Sequence, residues 1–281
     1  MNGAMISAAP HAKAEAFRRL HEGDDILLLP NPWNAGSAKL LAAEGFRALG
    51  TTSAGIAFSL GLPDPGPMER DVMLAEVAHI AGAVDLPVTA DIESGYGPDP
   101  EHVAETVRRT IAAGAVGGNL EDATNRTEAP LYEPTEAADR IRAARAAADA
   151  SGMTFTVNAR TDPYLTGHPE AFAEAVRRAN LYREAGADCL FVPGALDAEA
   201  IGALVREIDG PLNVVMGLAG GVLSVAELRD LGVRRISLGG SLCRATFGLL
   251  RRAARQMLDA GSFAYAADAI PHAEMDALFE G

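Results

Sequence analysis

The sequence predicts an α/β fold, a (β/α)8 TIM barrel formed as a single domain over residues 1–281, and three observations carry that expectation. Short apolar runs rich in Val, Ile and Leu alternate with longer amphipathic segments along the whole chain, as strands that each feed a helix would. The alternation repeats eight times at intervals of roughly 30 to 35 residues, which suits a parallel barrel. Four helix ends read almost alike: A-A-E-G-F-R, A-A-G-A-V, E-A-G-A-D and R-D-L-G-V-R. In these phrases Gly45, Gly114, Gly186 and Gly232 supply the left-handed residue that stops a helix before the next strand. A doubly wound sheet competes, but no G-x-G-x-x-G joins the first strand to its helix.

In chain order, residues 1–23 contain a helix over Ala12–His21 that precedes the first strand, Ile26–Leu29. The phrase P-N-P-W-N-A-G-S-A leads into the helix Ala35–Glu44 and puts Trp33 where it either walls a pocket or packs into the core. The second strand, Ala48–Thr51, opens a long loop of small residues from Thr51 to Pro67. Its backbone N–H groups and the hydroxyls of Thr52 and Ser53 suit an anion, and Asp64 closes it before the helix Met68–Val84.

The third strand, Val88–Asp91, ends in L-P-V-T-A-D-I-E-S-G-Y-G. Asp91 and Glu93 are two apart, so in extended chain both project to one face. Carboxylates that close repel unless a cation or a shared proton lies between them. Gly95 and Gly97 turn the chain into the helix Pro100–Ala113. The fourth strand, Gly117–Glu121, sets Asn119 and Glu121 on one face and Asp122 on the other, and is followed by the helix Thr135–Ala150. Glu121 is thus a third carboxylate at the neighbouring barrel position. Oxygen-only ligands without His or Cys point to Mg²⁺ or Mn²⁺ rather than zinc.

The fifth strand, Phe155–Arg160, places Asn158, Arg160 and Asp162 on one face. Arg160 can form an ion pair with its acidic neighbours or hold a substrate carboxylate in its planar fork, and the second use is preferred. His168, in the loop before the helix Glu170–Ala185, is the one histidine placed to approach the mouth. The strands Cys189–Val192, Leu212–Met216 and Arg235–Gly239 alternate with the helices Ala198–Glu207, Val225–Leu231 and Leu242–Ala260, and a further short helix lies in the tail. The glycines of Gly217–Gly221 and Leu238–Leu242 either turn tightly or cradle a phosphate.

Composition limits the partners. The balance of 24 basic against 38 acidic residues gives a formal charge of −14, whose field repels nucleic acid and anionic lipid. No apolar stretch reaches the ~20 residues a membrane helix needs, and Met1–Pro10 lacks the pattern of a signal peptide. With only Cys189 and Cys243, a cytoplasmic location is expected. Lysine is confined to Lys13 and Lys39, both on helices away from any strand end, which excludes Schiff-base chemistry.

Taken together, T-S-A-G-I-A-F-S-L-G-L-P-D, L-P-V-T-A-D-I-E-S-G-Y-G, N-L-E-D and N-A-R-T-D resemble the isocitrate lyase/phosphoenolpyruvate mutase superfamily, over about Ile26 to Met257. The resemblance implies an Mg²⁺-dependent barrel acting on a 2-oxo acid or dicarboxylate. It also implies a homotetramer, a dimer of dimers whose last helix and tail, residues 242–281, are exchanged between subunits. By the same resemblance Asp91, Glu93, Glu121 and Asp64 match the metal-site acids, Arg160 the carboxylate-holding arginine, and Thr52, Ser53 and Ala54 the segment that receives the oxo-acid end.

The lid after the fourth strand departs from the pattern. Isocitrate-type lyases carry K-[KR]-C-G-H there and phosphonate mutases K-T-N, whereas this chain reads Thr127, Glu128, Ala129, Pro130, Leu131. The expectation is therefore an Mg²⁺-dependent lyase that cleaves a C–C bond in, or decarboxylates, a small 2-oxo or 2-hydroxy di- or tricarboxylic acid through a stabilised enolate. Tyr96 and His168 are the proton-carrying candidates. A phosphonopyruvate-type mutase or hydrolase and a non-catalytic 2-oxo-acid binding protein are the alternatives.

Overall fold

A computed structural model describes residues 8–23, 25–66, 68–195, 197–218 and 223–280, with the side chains of Ala8 and Ala9 excepted. Eight parallel strands form one sheet in the order β1-β8-β7-β6-β5-β4-β3-β2. They are β1 (Leu27–Leu29), β2 (Leu49–Gly50), β3 (Val88–Asp91), β4 (Gly117–Glu121), β5 (Thr156–Arg160), β6 (Cys189–Phe191), β7 (Leu212–Val215) and β8 (Arg235–Ser237). Between β1 and β2 the ring is bridged beyond the strand ends, where the Gly50 N–H donates to the Pro30 carbonyl at 3.0 Å and Asn31 Nδ2 to the Thr51 carbonyl at 2.9 Å. The chain is thus a nearly closed (β/α)8 barrel.

Helices α1 (Ala8–Glu22) and α2 (Ala35–Ala43) flank β1, and β2 is followed by α3 (Ser53–Ser59) and α4 (Arg70–Gly82). Then α5 (Pro100–Ala112), α6 (Pro134–Ala150), α7 (Ala171–Glu184), α8 (Ala198–Glu207) and α9 (Val225–Asp230) cross back one by one, and α10 (Ser241–Ala260) leads through a 3-10 turn to α11 (His272–Phe279). Local chemistry sets these bounds. Asn34 and Ser37 close a capping box on α2, Ser224 and Glu227 close one on α9, and Pro100 and Pro134 open α5 and α6. The glycines expected to stop helices do adopt positive φ, as at Gly114 (91°) and Gly186 (105°).

Two differences from the sequence reading stand out. The strands are shorter by a residue or two at several ends, and the loop after β2 contains a whole helix, α3. Thr52 caps it, accepting from the Gly55 N–H at 3.3 Å. Phe17 of α1 is fully buried and reaches the inner end of the barrel, where a Cβ on Gly117 would lie 3.1 Å from its ring. Leu250, Leu258 and Phe263, on and after α10, are exposed. No helix among the described residues is long and apolar enough to cross a membrane.

Candidate active site

A cavity of about 320 Å³ opens at the carboxyl end of the barrel and reaches inward between the strands. Asp91, at the last position of β3, is its best-fixed carboxylate. Its Oδ2 accepts from both the backbone N–H (3.0 Å) and the hydroxyl (2.7 Å) of Ser53, the first residue of α3. Its Oδ1 accepts from Asn119 Nδ2 at 3.1 Å, and Asn119 Oδ1 accepts in turn from Asn158 Nδ2 at 2.9 Å. The alternation of β4 and β5 produces this row, because Asn119 and Asn158 are register partners.

The sequence reading expected Thr52 and Ser53 to present donors to an anion. Instead the Thr52 hydroxyl caps α3 and both donors of Ser53 are used by Asp91, because a carboxylate at a helix N-terminus is an internal anion. Ala54 lines the cavity beside them.

Beyond Asp91 the strand alternation ends. Glu93 and Tyr96 both take left-handed backbone conformations (φ 48° and 56°), and the Tyr96 hydroxyl donates to Glu93 Oε1 at 3.0 Å. This loop is held from outside the barrel by Arg140 of α6, which is buried and donates to the carbonyls of Ser94, Gly97 (3.0 Å) and Pro98 (2.6 Å) while stacking on Tyr132. Burial, reinforced by Asp91, pushes the Glu93 carboxyl up to about 7. Partial burial and Asp91 shift Asp64 in the same direction at the cavity rim. Burial also raises Glu121, against the opposing pull of Arg160.

Arg160 closes the far side. Its Nη1 lies 2.8 Å from Glu121 Oε2, and its Nε and Nη2 meet the two oxygens of Asp162 at 2.7 and 2.8 Å. Burial opposes its charge, but Glu121 and Asp162 outweigh that and keep it protonated. Arg160 is thus ion-paired, the first of the two uses foreseen for it, and it lines the cavity with N–H groups that neither acid occupies. Asp162 is itself placed by Asp122, which accepts from its backbone N–H (3.0 Å), Thr161 Oγ1 (2.6 Å), Tyr182 Oη (2.6 Å) and Arg178 Nη1 (3.2 Å).

Asp64, Glu93, Glu121 and Asp162 share a second cleft with Asn125, Arg126 and Thr127 of the lid. That lid is folded on itself, with Ala123 bridged to Leu131 and the Thr124 N–H donating to the Pro130 carbonyl at 2.9 Å. Neither cysteine lines either cavity, and burial pushes the Cys189 thiol up to about 11. Among the described residues no group of three or more His, Cys, Asp and Glu side chains is arranged to hold a metal ion. Asp64, Glu93 and Glu121 instead form an open, oxygen-only set whose proton affinity is raised first by burial and then by neighbouring acids. That pattern fits Mg²⁺, which is held by one or two carboxylates together with water and substrate.

Three candidate residues line neither cavity: Trp33, His168 and Tyr96, the last packed against the cluster of Leu49, Ile56 and Met73 with its hydroxyl on Glu93. Trp33 packs with the cluster of Leu49, Ile56 and Met73 and against Gly55, not on the cavity wall. His168 lines neither cavity, and its Nδ1 accepts from the Glu170 N–H at 3.2 Å at the entry to α7. The phosphate reading of Gly217–Gly221 rests partly on 219–221, outside the described residues; Gly239 and Gly240 do line the cavity. Sequence reasoning missed Asp122 and Arg140 as organisers of the site. An acid directly after a strand and an arginine inside an otherwise alanine-rich helix were the available signals.

The barrel and its acid-rich mouth define an enzyme site, and the comparisons specify which kind. Residues 17–258 match the model of the phosphoenolpyruvate phosphomutase family, and the chain belongs to that family within the isocitrate lyase/PEP mutase superfamily. A Burkholderia cenocepacia protein solved as a candidate lyase/mutase is 46% identical, with a TM-score of 0.95 and coverage of 98% of both chains. The 2-methylisocitrate lyase of Escherichia coli (strain K12) is 34% identical over 64% of this chain and 62% of that enzyme. Oxaloacetate acetylhydrolase, solved with its product oxalate, is 27% identical, with a TM-score of 0.86 and coverage of 96% and 94%. Phosphonopyruvate hydrolase, solved with oxalate and Mg²⁺, is 27% identical, with a TM-score of 0.84 and coverage of 95% and 94%.

Proposed function

We propose that the protein is an Mg²⁺-dependent lyase that cleaves a C–C bond in, or decarboxylates, a small 2-oxo or 2-hydroxy polycarboxylic acid. The observation that carries this reading is the gathering of Asp64, Asp91, Glu93 and Glu121 around a mouth where Arg160 is the cation paired directly with one of them, an excess of acids suited to a divalent cation. Asp91, Glu93, Glu121 and Asp64 would hold the ion, directly or through water. When bound, Mg²⁺ supplies charge stabilisation for the oxygen that becomes negative as the bond breaks.

The protein's own groups do the rest. Arg160 holds the substrate carboxylate with the N–H groups not used by Glu121 and Asp162. Thr52, Ser53 and Ala54 wall the oxo-acid end, and Tyr96 holds a proton at Oη against Glu93, the position from which one can be delivered. The lid, folded on itself, walls the cleft that holds the acids and brings Arg126 to its edge.

The test is turnover of a panel of 2-oxo and 2-hydroxy acids, oxaloacetate among them, with Mg²⁺, with EDTA, and for Asp91→Ala. Activity should vanish with EDTA and in the variant; turnover indifferent to both would overturn the reading. The phosphomutase-family match supports a second reading, P–C bond chemistry, which predicts release of phosphate or isomerisation from phosphonopyruvate in the same assay. Exposed Leu250, Leu258 and Phe263 support the exchange of α10 and the tail within a homotetramer.

A further inference from the structure

The inner end of the cavity carries a charge that the proposed chemistry does not use. Arg235 opens β8, is only 3% exposed, and lines the cavity. Its Nε and Nη1 are buried without a hydrogen-bond partner, and no carboxylate among the described residues forms an ion pair with it. Its guanidinium sits over the ring of Phe17, 5.9 Å from the centroid, so α1 closes the floor beneath it. The register partner of Arg235 on β7 is Asn213, whose Oδ1 and Nδ2 are both buried and unpartnered, and Thr89 Oγ1 of β3 is unpartnered as well. All three residues line the same cavity.

Buried polar atoms are satisfied with few exceptions, and a buried guanidinium needs a counter-charge. Among the described residues, five of the ten unpartnered buried side-chain atoms belong to three residues facing one space. The charged and titratable groups near Arg235 are Asp91, the Cys189 thiol and His21, and none of them touches it. The hydrogen bonds of the Asp91 carboxylate come instead from Ser53 and Asn119.

We infer that the floor of the barrel is a second anion subsite, in which Arg235, Asn213 and Thr89 receive the distal carboxylate of a short dicarboxylic substrate whose other end lies at Arg160 and Asp91. The assignment rests on the proposed 2-oxo/2-hydroxy acid reading and narrows it to diacids. Arg235 supplies a planar pair of N–H donors, Asn213 both a donor and an acceptor, and Thr89 a hydroxyl that can donate. Both ends line the one cavity of about 320 Å³, so the span between them suits a short diacid.

Matched probes test this. Malate and lactate share the 2-hydroxy acid head and differ by the distal carboxylate, and oxalate, with Mg²⁺ present, reports the head site alone. By calorimetry the wild-type protein should bind malate more tightly than lactate. Arg235→Met should weaken malate about 30-fold or more, the loss expected when one partner of a buried charge pair is removed, and leave lactate and oxalate within about twofold. Equal affinities for malate and lactate in the wild type would overturn the subsite, and that result needs no variant to fold. Retention of the malate preference by Arg235→Met would overturn it too. Stabilisation of the wild type, but not the variant, by chloride or phosphate with no malate preference would show a site for an inorganic ion only and would likewise refute the substrate assignment. Failure of Mg²⁺-dependent oxalate binding in the wild type would instead count against the proposed function, separately from the malate–lactate comparison.

Discussion

Replacing Asp122 by Ala probes how strongly the site depends on a residue that touches no part of the cavity. The Asp122 carboxylate is 2% exposed and accepts four hydrogen bonds, including one from the buried Arg178. Each bond to a charged group contributes about 1.5–3 kcal/mol in isolation. They are not additive, because Arg178 keeps Glu174 and the Tyr132 carbonyl as partners. The bound for deleting one member of a buried ion pair, about 3–5 kcal/mol, is therefore the better guide. At ~2 °C per kcal/mol for a chain of this size, the melting temperature should fall by roughly 6–10 °C. Calorimetric melts of wild type, Asp122→Ala and Asp122→Asn measure it, with Asn losing less because an amide still accepts from Thr161 or Tyr182. Since Asp122 also receives the Asp162 N–H, the variant should lose affinity for a substrate carboxylate at Arg160. A drop under 2 °C would refute the reasoning that this acid is the anchor of the β4–β5 edge.

Two further outcomes follow from the titrating groups. Glu93 titrates near 7, and Asp64 and Glu121 are also raised, so Mg²⁺ binding at neutral pH should release protons and tighten as pH rises through 7. Binding heats that do not change between buffers of different ionisation enthalpy would contradict this. Burial, aided by Arg235, lowers His21 from 6.5 to about 4, so the unfolded chain binds its proton first and stability declines as pH falls from about 6.5 toward 4. The full effect is about 3 kcal/mol, and urea denaturation of His21→Leu should show a flatter profile across that window than the wild type.

Much of the architecture was legible because period and punctuation agree. Val88–Asp91, Gly117–Glu121 and Ala198–Glu207 have the expected bounds, and the glycine-ended phrases fall where helices stop. The acid positions were readable for the same reason: in a barrel, the last inward residue of each strand faces the mouth. Helix α3 was hidden in T-S-A-G-I-A-F-S because seven residues make barely two turns, and only the Thr52 cap announced it. His168 was misplaced, and Trp33 could be left only as wall or core, because each is an attractive side chain on a loop and loops carry no period to orient them; Trp33 takes the core alternative. Arg235 went unnoticed although alternation sets it on the face of Ser237, since a charge at the first position of a strand reads as solvent-facing.

The row of Asn158, Asn119 and Asp91 has a polarity. Each amide gives its N–H toward Asp91, whose carboxylate oxygens accept at the end of the row. The charge at β3 therefore chooses the rotamer of side chains one and two strands away. An amide at position 91 could donate as well as accept and would release that choice, so one side chain on β3 sets the direction of a row that spans three strands.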